Sequence, residues 1–435
     1  MRELPSLAHE AVELAKARRA ECEVWLEYRT AAEIRATEGD LEQIAERATL
    51  TGTITTWRDG HEGCAVIQGT GGIGQAVDAA VALGEVLPRR ERVVRAFPGL
   101  TEDPAVNGSA PIRLADGDDL TLLRDLSARS ALVRDITLEA HHASTAFGES
   151  GGAYGERRSS CAVTQSRYAT GTANGSLTRS FAGRDAAGSL RAAADDLDEC
   201  LRYTEALGQD AARWESPATV LLHGHVMARL LSLLAPSLQL DSVVQRKSRL
   251  AARLGERIAA PGFRLVDDAA GLLSPVSYRF DDEGTLTQSM DVIADGRLLG
   301  YMSDVRHAVD NGSTSTGAGW RSVSGGEVRI RPSTLIAGWD ESLEPAEPGH
   351  ELYVLQATGM HISNDVTGDF SFGAMGLRKD SGSRLRNAGS FTVAGNVIDM
   401  LKQLEPVRSP VRYVAHNAEI CASPDVAVRG LVIGA

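Results

Sequence analysis

The chain has 435 residues, 43% of them hydrophobic, which on a domain size of roughly 150 residues predicts two or three domains with real cores. A net charge of −13, with Lys and Arg scattered along the sequence, excludes non-specific nucleic-acid binding, because phosphate contact needs clustered basic side chains. No stretch reaches about 18 apolar residues, the N-terminus is too charged for a signal peptide, and five cysteines without a C-x-x-C pair suit a reducing compartment. The expectation is therefore a cytoplasmic protein outside the membrane.

Leu4, Leu7, Ala8, Ala11, Val12 and Ala15 recur at three- and four-residue spacing and predict an opening amphipathic helix. From Cys22 the pattern changes to alternation, in short runs broken at Glu38-Gly39-Asp40 and Arg58-Asp59-Gly60, as in an antiparallel meander. A second helix over Gln75 to Val86 closes this unit, which makes an N-terminal α-β-meander-α domain. Pro88 to Pro111 reads as a connector. Asp116, Asp118 and Asp119 stand at the start of a further helix, where the helix dipole favours carboxylates; a calcium loop would also need the Gly and distal Glu of an EF-hand. Residues 137 to 185 predict strands facing solvent or a cavity, and a single helix is expected from Ala186 to Leu207. After Trp214 the chain becomes strand-rich, with short runs at Gly262 to Val266, Gln288 to Ile293 and Val328 to Ile330. The expected class is α+β, with an N-terminal domain over residues 1–214 and a strand-rich C-terminal domain over 215–435.

Gly69-Thr70-Gly71-Gly72-Ile73-Gly74 matches G-x-G-x-x-G, but the preceding strands form a meander and no acidic strand end follows at the required distance. It is read as a flexible turn into a helix.

The segment Val220 to Leu230, V-L-L-H-G-H-V-M-A-R-L, carries two histidines on an apolar frame. On a regular helix His223 and His225 would lie roughly 200° apart, on opposite faces. If the backbone were still extended there, alternation would bring both to one face, and a two-histidine site would become possible.

Several pieces follow in a fixed order: Asp281-Asp282-Glu283-Gly284, Asp295-Gly296-Arg297-Leu298-Leu299-Gly300-Tyr301, Thr316-Gly317, Arg331-Pro332-Ser333, Gly368-Asp369-Phe370, Gly395-Asn396 and the late Cys421. Together with the N-terminal unit they resemble the modulator-of-gyrase family of TldD and TldE (PmbA) proteins, across nearly the whole chain. That resemblance implies a two-domain fold and a cytoplasmic peptidase assembly, in which TldD holds zinc through the two histidines of H-E-x-x-x-H on a helix and a C-terminal cysteine. His223 corresponds to the first ligand and Cys421 to the cysteine, while Gly224 and Ala228 stand where the general base and second histidine would be. Ala422, Ser423 and Pro424 follow Cys421 where the catalytic branch tends to have a Gly-Lys pair. The chain therefore looks like the TldE branch, which lacks the metal motif.

The resulting expectation is a noncatalytic subunit with no cofactor of its own, zinc being carried by a TldD-like partner, in a heterodimer or as a homodimer, acting on unfolded peptides or peptide precursors. The alternatives are a self-sufficient hydrolase with a metal site rebuilt from His223, His225 and Cys421, and a peptide-binding module. His361 and Asp369 flank a loop that could meet a substrate. A buried small side chain is the simple account of Cys421, and a solvated polar pair that of His361 and Asp369.

Overall fold

The computed structural model describes residues 4–90, 92, 116–151, 154–171, 175–211, 219–322, 325–340, 343–345, 352–360, 363–379, 384–416 and 419–434. The amphipathic start folds as α1 (Leu4–Ala17), and alternation then gives β1 (Glu21–Thr37), β2 (Asp40–Arg58) and β3 (His61–Gln68). Both tight turns of this meander use positive φ, at Glu38 and Gly39 (51° and 88°) and at Asp59 and Gly60 (52° and 80°), as two-residue hairpins require. The strands are longer than the short runs expected, 17 residues in β1 and 19 in β2. The two breaks read at Glu38-Gly39-Asp40 and Arg58-Asp59-Gly60 are these turns, and between them β2, though much of it is exposed, pairs with β1 along nearly its whole length.

A 3-10 turn at Thr70–Gly72 leads from β3 into α2 (Ile73–Val86). Because β3 is the antiparallel edge of its sheet, the glycine run belongs to no βαβ unit. Most of the proposed connector lies outside the described residues. α3 (Gly117–Ala128) opens on a capping box in which Asp116 accepts from the backbone N–H groups of Asp118 and Asp119 while Asp119 returns a bond to the N–H of Asp116, so these carboxylates serve the helix end. Three further strands, β4 (Val133–Glu149), β5 (Tyr154–Ala169) and β6 (Ser176–Gly183), complete a six-stranded sheet of order β3-β2-β1-β4-β5-β6. Most of β6 is buried under α4 and the C-terminal half, and Thr178, Arg179 and Ser180 on it line a cavity, the second of the two surroundings expected for these strands. The single helix expected from Ala186 is in fact two, α4 (Ala186–Asp195) and α5 (Leu197–Leu207), broken at Asp196.

The C-terminal half begins with β7 (Thr219–Leu222) and α6 (Gly224–Leu234), followed by α7 (Leu240–Val244), β8 (Phe263–Asp268), β9 (Ser289–Ala294), β10 (Arg297–Leu298), α8 (Val305–Asp310) and the short pair β11 (Gly319–Trp320) and β12 (Arg329–Ile330). It continues through β13 (Thr334–Trp339), β14 (Leu352–Thr358), β15 (Asp369–Lys379), β16 (Leu385–Asn396), α9 (Val397–Met400), β17 (Leu404–Pro406), β18 (Arg412–His416), β19 (Glu419–Ser423), β20 (Val426–Arg429) and β21 (Val432–Gly434). Two large sheets result, β10-β9-β8-β13-β19-β18 and β17-β20-β7-β14-β15-β16-β21. α6 is buried along nearly its whole length in the core that both sheets share, with Val226, Met227, Leu230, Leu231 and Leu234 among Phe263, Leu265, Leu335, Val354, Phe372 and Val393.

The architecture is α+β. One face of the first sheet packs Cys22, Val24 and Leu26 with α1 and α2. Farther along the same strand, Ile34 and Ala36 join a core that also holds Leu123, Leu190, Tyr203, Leu221, Tyr353 and Ala427, so this core spans both halves of the chain. On the opposite face Trp25 and Phe147 meet Phe280. Among the described residues no helix is long and apolar enough to cross a membrane.

Candidate functional site

Strand β7 runs directly into α6, and the junction decides where the histidines point. His223 is the N-cap of α6 with extended backbone (φ −61°, ψ 144°), and its Nδ1 accepts from the N–H of His225 at 3.2 Å. The opposite-face geometry of a regular helix therefore does not apply. The two rings lie 5.2 Å apart and tilted by 34°, against Tyr203, Tyr353 and Phe181. Both are buried, at 0% and 6% exposure.

The break between α4 and α5 brings Asp196 to the same place. Ligand-type atoms of Asp196, His223 and His225 all lie within 4.8 Å of one another, the group of this kind found among the described residues. Cys421 is not part of it. Its thiol is buried in β19, where desolvation pushes its pKa far up, and it lines a separate small cavity with Ala228, Arg229, Ser232, Val414 and Glu419.

Three carboxylates around the histidines converge on one guanidinium. Arg412 donates to Asp196 at 3.2 Å, Glu199 at 2.5 Å and Asp425 at 3.1 Å. Asp425 also accepts from Tyr353 (2.8 Å) and from the N–H of Gly224 (2.8 Å), satisfying the first free donor of α6. Glu199 accepts from Tyr203 at 2.7 Å. Burial pushes the carboxyls of Asp196 and Asp425 up, with Arg412 opposing.

Hydrogen bonding fixes the tautomers. His223 uses its Nδ1 lone pair on a backbone N–H, which leaves the proton on Nε2. His225 Nε2 lies 2.9 Å from the carbonyl oxygen of Ser180; a carbonyl only accepts, so Nε2 is protonated and Nδ1 carries the lone pair. His223 Nε2 and His225 Nδ1 are both buried with no partner among the described residues. Desolvation, then the positive fields of Arg179 and Arg412, holds both imidazoles far below their usual pKa. With one lone pair free between two rings, a carboxylate committed to Arg412 and a positive local field, this trio does not suit a divalent cation.

Next to it lies a cavity of about 220 Å³, lined by His225, Val226 and Arg229 of α6, Thr178, Arg179 and Ser180 of β6, Gln165, Leu355 to Ala357, Val414 and Ala415. Sequence reasoning missed Asp196, Arg179 and Arg412. Asp196 was hidden inside an apparently continuous helix, and no sequence spacing relates it to Arg412, 216 residues away. His361 lies outside the described residues. Asp369 is exposed at the start of β15, where Asn396 and Thr367 bond its carboxylate and lower its pKa, and it does not line the cavity.

Residues 215–435 match the family model described as PmbA/TldA metallopeptidase C-terminal domain, half of the chain. The chain belongs to the PmbA/TldD metallopeptidase family. It is 30% identical to the metalloprotease PmbA of Escherichia coli O157:H7 over 197 residues, 45% of this chain and 41% of that protein. The chain spans half or less of the length of the curated relatives it matches. Its fold is that of TldE from Thermococcus kodakarensis (TM-score 0.79, 17% identity, 99% of each chain) and of a structure described as a modulator of a DNA gyrase from Thermotoga maritima (TM-score 0.72, 18% identity, 99% of this chain and 100% of that one).

The metal implied by the family name does not fit the residues that stand on α6. A Cβ built on Gly224 would come within 2.4 Å of the carbonyl oxygen of Ser423, so the position of the family's general base admits no side chain without a backbone shift. Ala228 offers no ligand atom, and Cys421 is not gathered with the histidines. No metal-dependent step is derived for this chain.

Proposed function

We propose that this chain is a noncatalytic, TldE-like subunit of a cytoplasmic, zinc-dependent peptidase assembly, which processes unfolded peptides or peptide precursors with a TldD-like partner holding the metal. The observation that carries this reading is the close approach at Gly224: the helix of the peptidase motif is retained in the core while the base position is closed by the backbone of Ser423. Family membership supports the peptidase context. A helix that kept neither base nor second ligand has a use if the chemistry lies in another subunit. A homodimer is the simplest closed form when no such partner is present.

Elemental analysis and peptidase assays test this reading. The isolated chain, after dialysis, is expected to hold no stoichiometric zinc and to leave an unfolded protein intact, with turnover appearing when a TldD-like protein is added. One tightly held zinc per chain that disappears on His223→Ala would reject it. Sedimentation as a monomer that ignores a TldD-like protein would favour the stand-alone peptide-binding module instead.

A further inference from the structure

Among the described residues Arg179 is the largest fully buried side chain, at 1% exposure, and no carboxylate is hydrogen-bonded to it. Its Nη1 donates to the carbonyl oxygens of Thr178 and Leu355, each at 3.1 Å. Its Nε and Nη2 are buried with no hydrogen-bond partner among the described residues. These two atoms form one edge of the guanidinium, the fork that takes both oxygens of a carboxylate in parallel hydrogen bonds. A desolvated guanidinium with that edge unsatisfied is costly unless something supplies the anion.

Other hydrogen-bond donors stand nearby, together with the Nδ1 lone pair of His225. Arg229 lines the cavity beside Arg179 and spends one bond, at 2.8 Å, on the carbonyl of Ala357. By the tautomer argument His223 presents a buried Nε2–H with no partner among the described residues. The nearby acids Asp196, Glu199 and Asp425 are all bonded to Arg412. The cavity, about 220 Å³, has room for a chain end or a short acidic side chain, and β6, which carries Arg179, is the outermost strand of its sheet.

We propose that this cavity is a carboxylate-binding subsite, in which Arg179 and Arg229 receive the carboxylate of a peptide, either its C-terminus or an Asp or Glu side chain. Arg179 of β6 and Arg229 of α6 thus supply positive charge beside the helix whose relatives' motif would supply it with a metal. The peptide as source rests on the reading of the preceding section; the carboxylate chemistry does not.

The test is equilibrium binding of three fluorescent alanine hexapeptides to the full chain: one with a free C-terminal carboxylate, one with a C-terminal amide, and one amide with an internal glutamate. At least one carboxylate peptide is expected to bind roughly tenfold or more tightly than the neutral amide, and which of the two does so identifies the source of the carboxylate. Arg179→Met is expected to abolish that preference; because this variant could fail to fold, Arg229→Gln, at the half-buried rim, provides a second reading and is expected to remove most of it. Equal binding of charged and neutral peptides, no saturable binding by either carboxylate peptide, or a preference untouched by Arg229→Gln would overturn the proposal. So would stoichiometric zinc that is lost on His223→Ala. Turnover with a TldD-like partner is a separate readout: if it appears while no carboxylate preference does, the subsite fails and the subunit reading stands.

Discussion

The carbonyl oxygen of Ser423 lies 2.4 Å from where a Cβ on Gly224 would be, so a strand end of the C-terminal sheet closes against the first residue of α6. By helix propensity alone Gly224→Ala should stabilise the protein by up to about 1 kcal/mol. The close approach predicts the opposite sign: a loss of about 1 to 3 kcal/mol for Gly224→Ala and more for Gly224→Glu, read from the midpoint of urea unfolding. Gly224→Glu combined with Ala228→His is expected to restore neither zinc binding nor peptidase activity. A stable double variant that cleaves unfolded protein would show the motif position to be open after all.

Arg157 and Asp282 tie the first sheet to the C-terminal half. The guanidinium donates to the carboxylate at 2.7 Å and to the carbonyl of Phe280 at 2.7 Å, and Asp282 also accepts from Trp25 and from the N–H of Arg321. Burial alone would raise the Asp282 pKa; Arg157 and the backbone donor outweigh it and hold it below the usual value. Asp282→Asn leaves a buried guanidinium without its counter-charge and is expected to cost about 3 to 5 kcal/mol. Arg157→Met together with Asp282→Leu should recover a large part of that loss. Equal urea midpoints for Asp282→Asn and the parent would remove this ion pair from the list of structural ties.

The two site histidines make the fold sensitive to acid. Their native pKa values lie well below the unfolded value of about 6.5, so the unfolded chain takes up protons that the native one does not. Their contribution is present above about pH 6.5 and is lost as pH falls below it. His225→Gln should therefore flatten the decline of stability between about pH 7 and pH 5, by at most one proton in the slope, when unfolding free energies are compared across that range. Parallel curves for the parent and the variant would contradict neutral burial of His225.

Cys421 sits in β19 opposite Leu335 and Val414, in a cavity that does not include the histidines. Burial pushes its thiol far above the range in which a thiolate forms, so its contribution is packing. Cys421→Ala should cost about 1 kcal/mol and leave turnover of a mixture with a TldD-like protein unchanged. Loss of turnover with assembly intact would give the sulfur a chemical role.

Local periodicity and turn chemistry were enough, in the sequence alone, to place α1, α2, α3 and the meander: the apolar spacing of Leu4 to Ala15, the positive-φ pairs Glu38-Gly39 and Asp59-Gly60, and the aspartates ahead of Leu120 are all signals that a few neighbouring residues complete. The departure from the peptidase motif at Gly224 and Ala228 is likewise a matter of residue identity. What the tertiary structure decided is the meeting of residues far apart in the chain. The direction of the His223 ring depended on one extended N-cap residue, the exposure of Asp196 to Arg412 on a helix break that no Gly or Pro marks, and the isolation of Arg179 on the strand packing around β6. Side-chain periodicity records which face is buried, but burial is indifferent to which partner covers it. Hydrogen bonds between residues 216 apart, such as that from Arg412 to Asp196, are selected only once both sheets and the helix between them have closed.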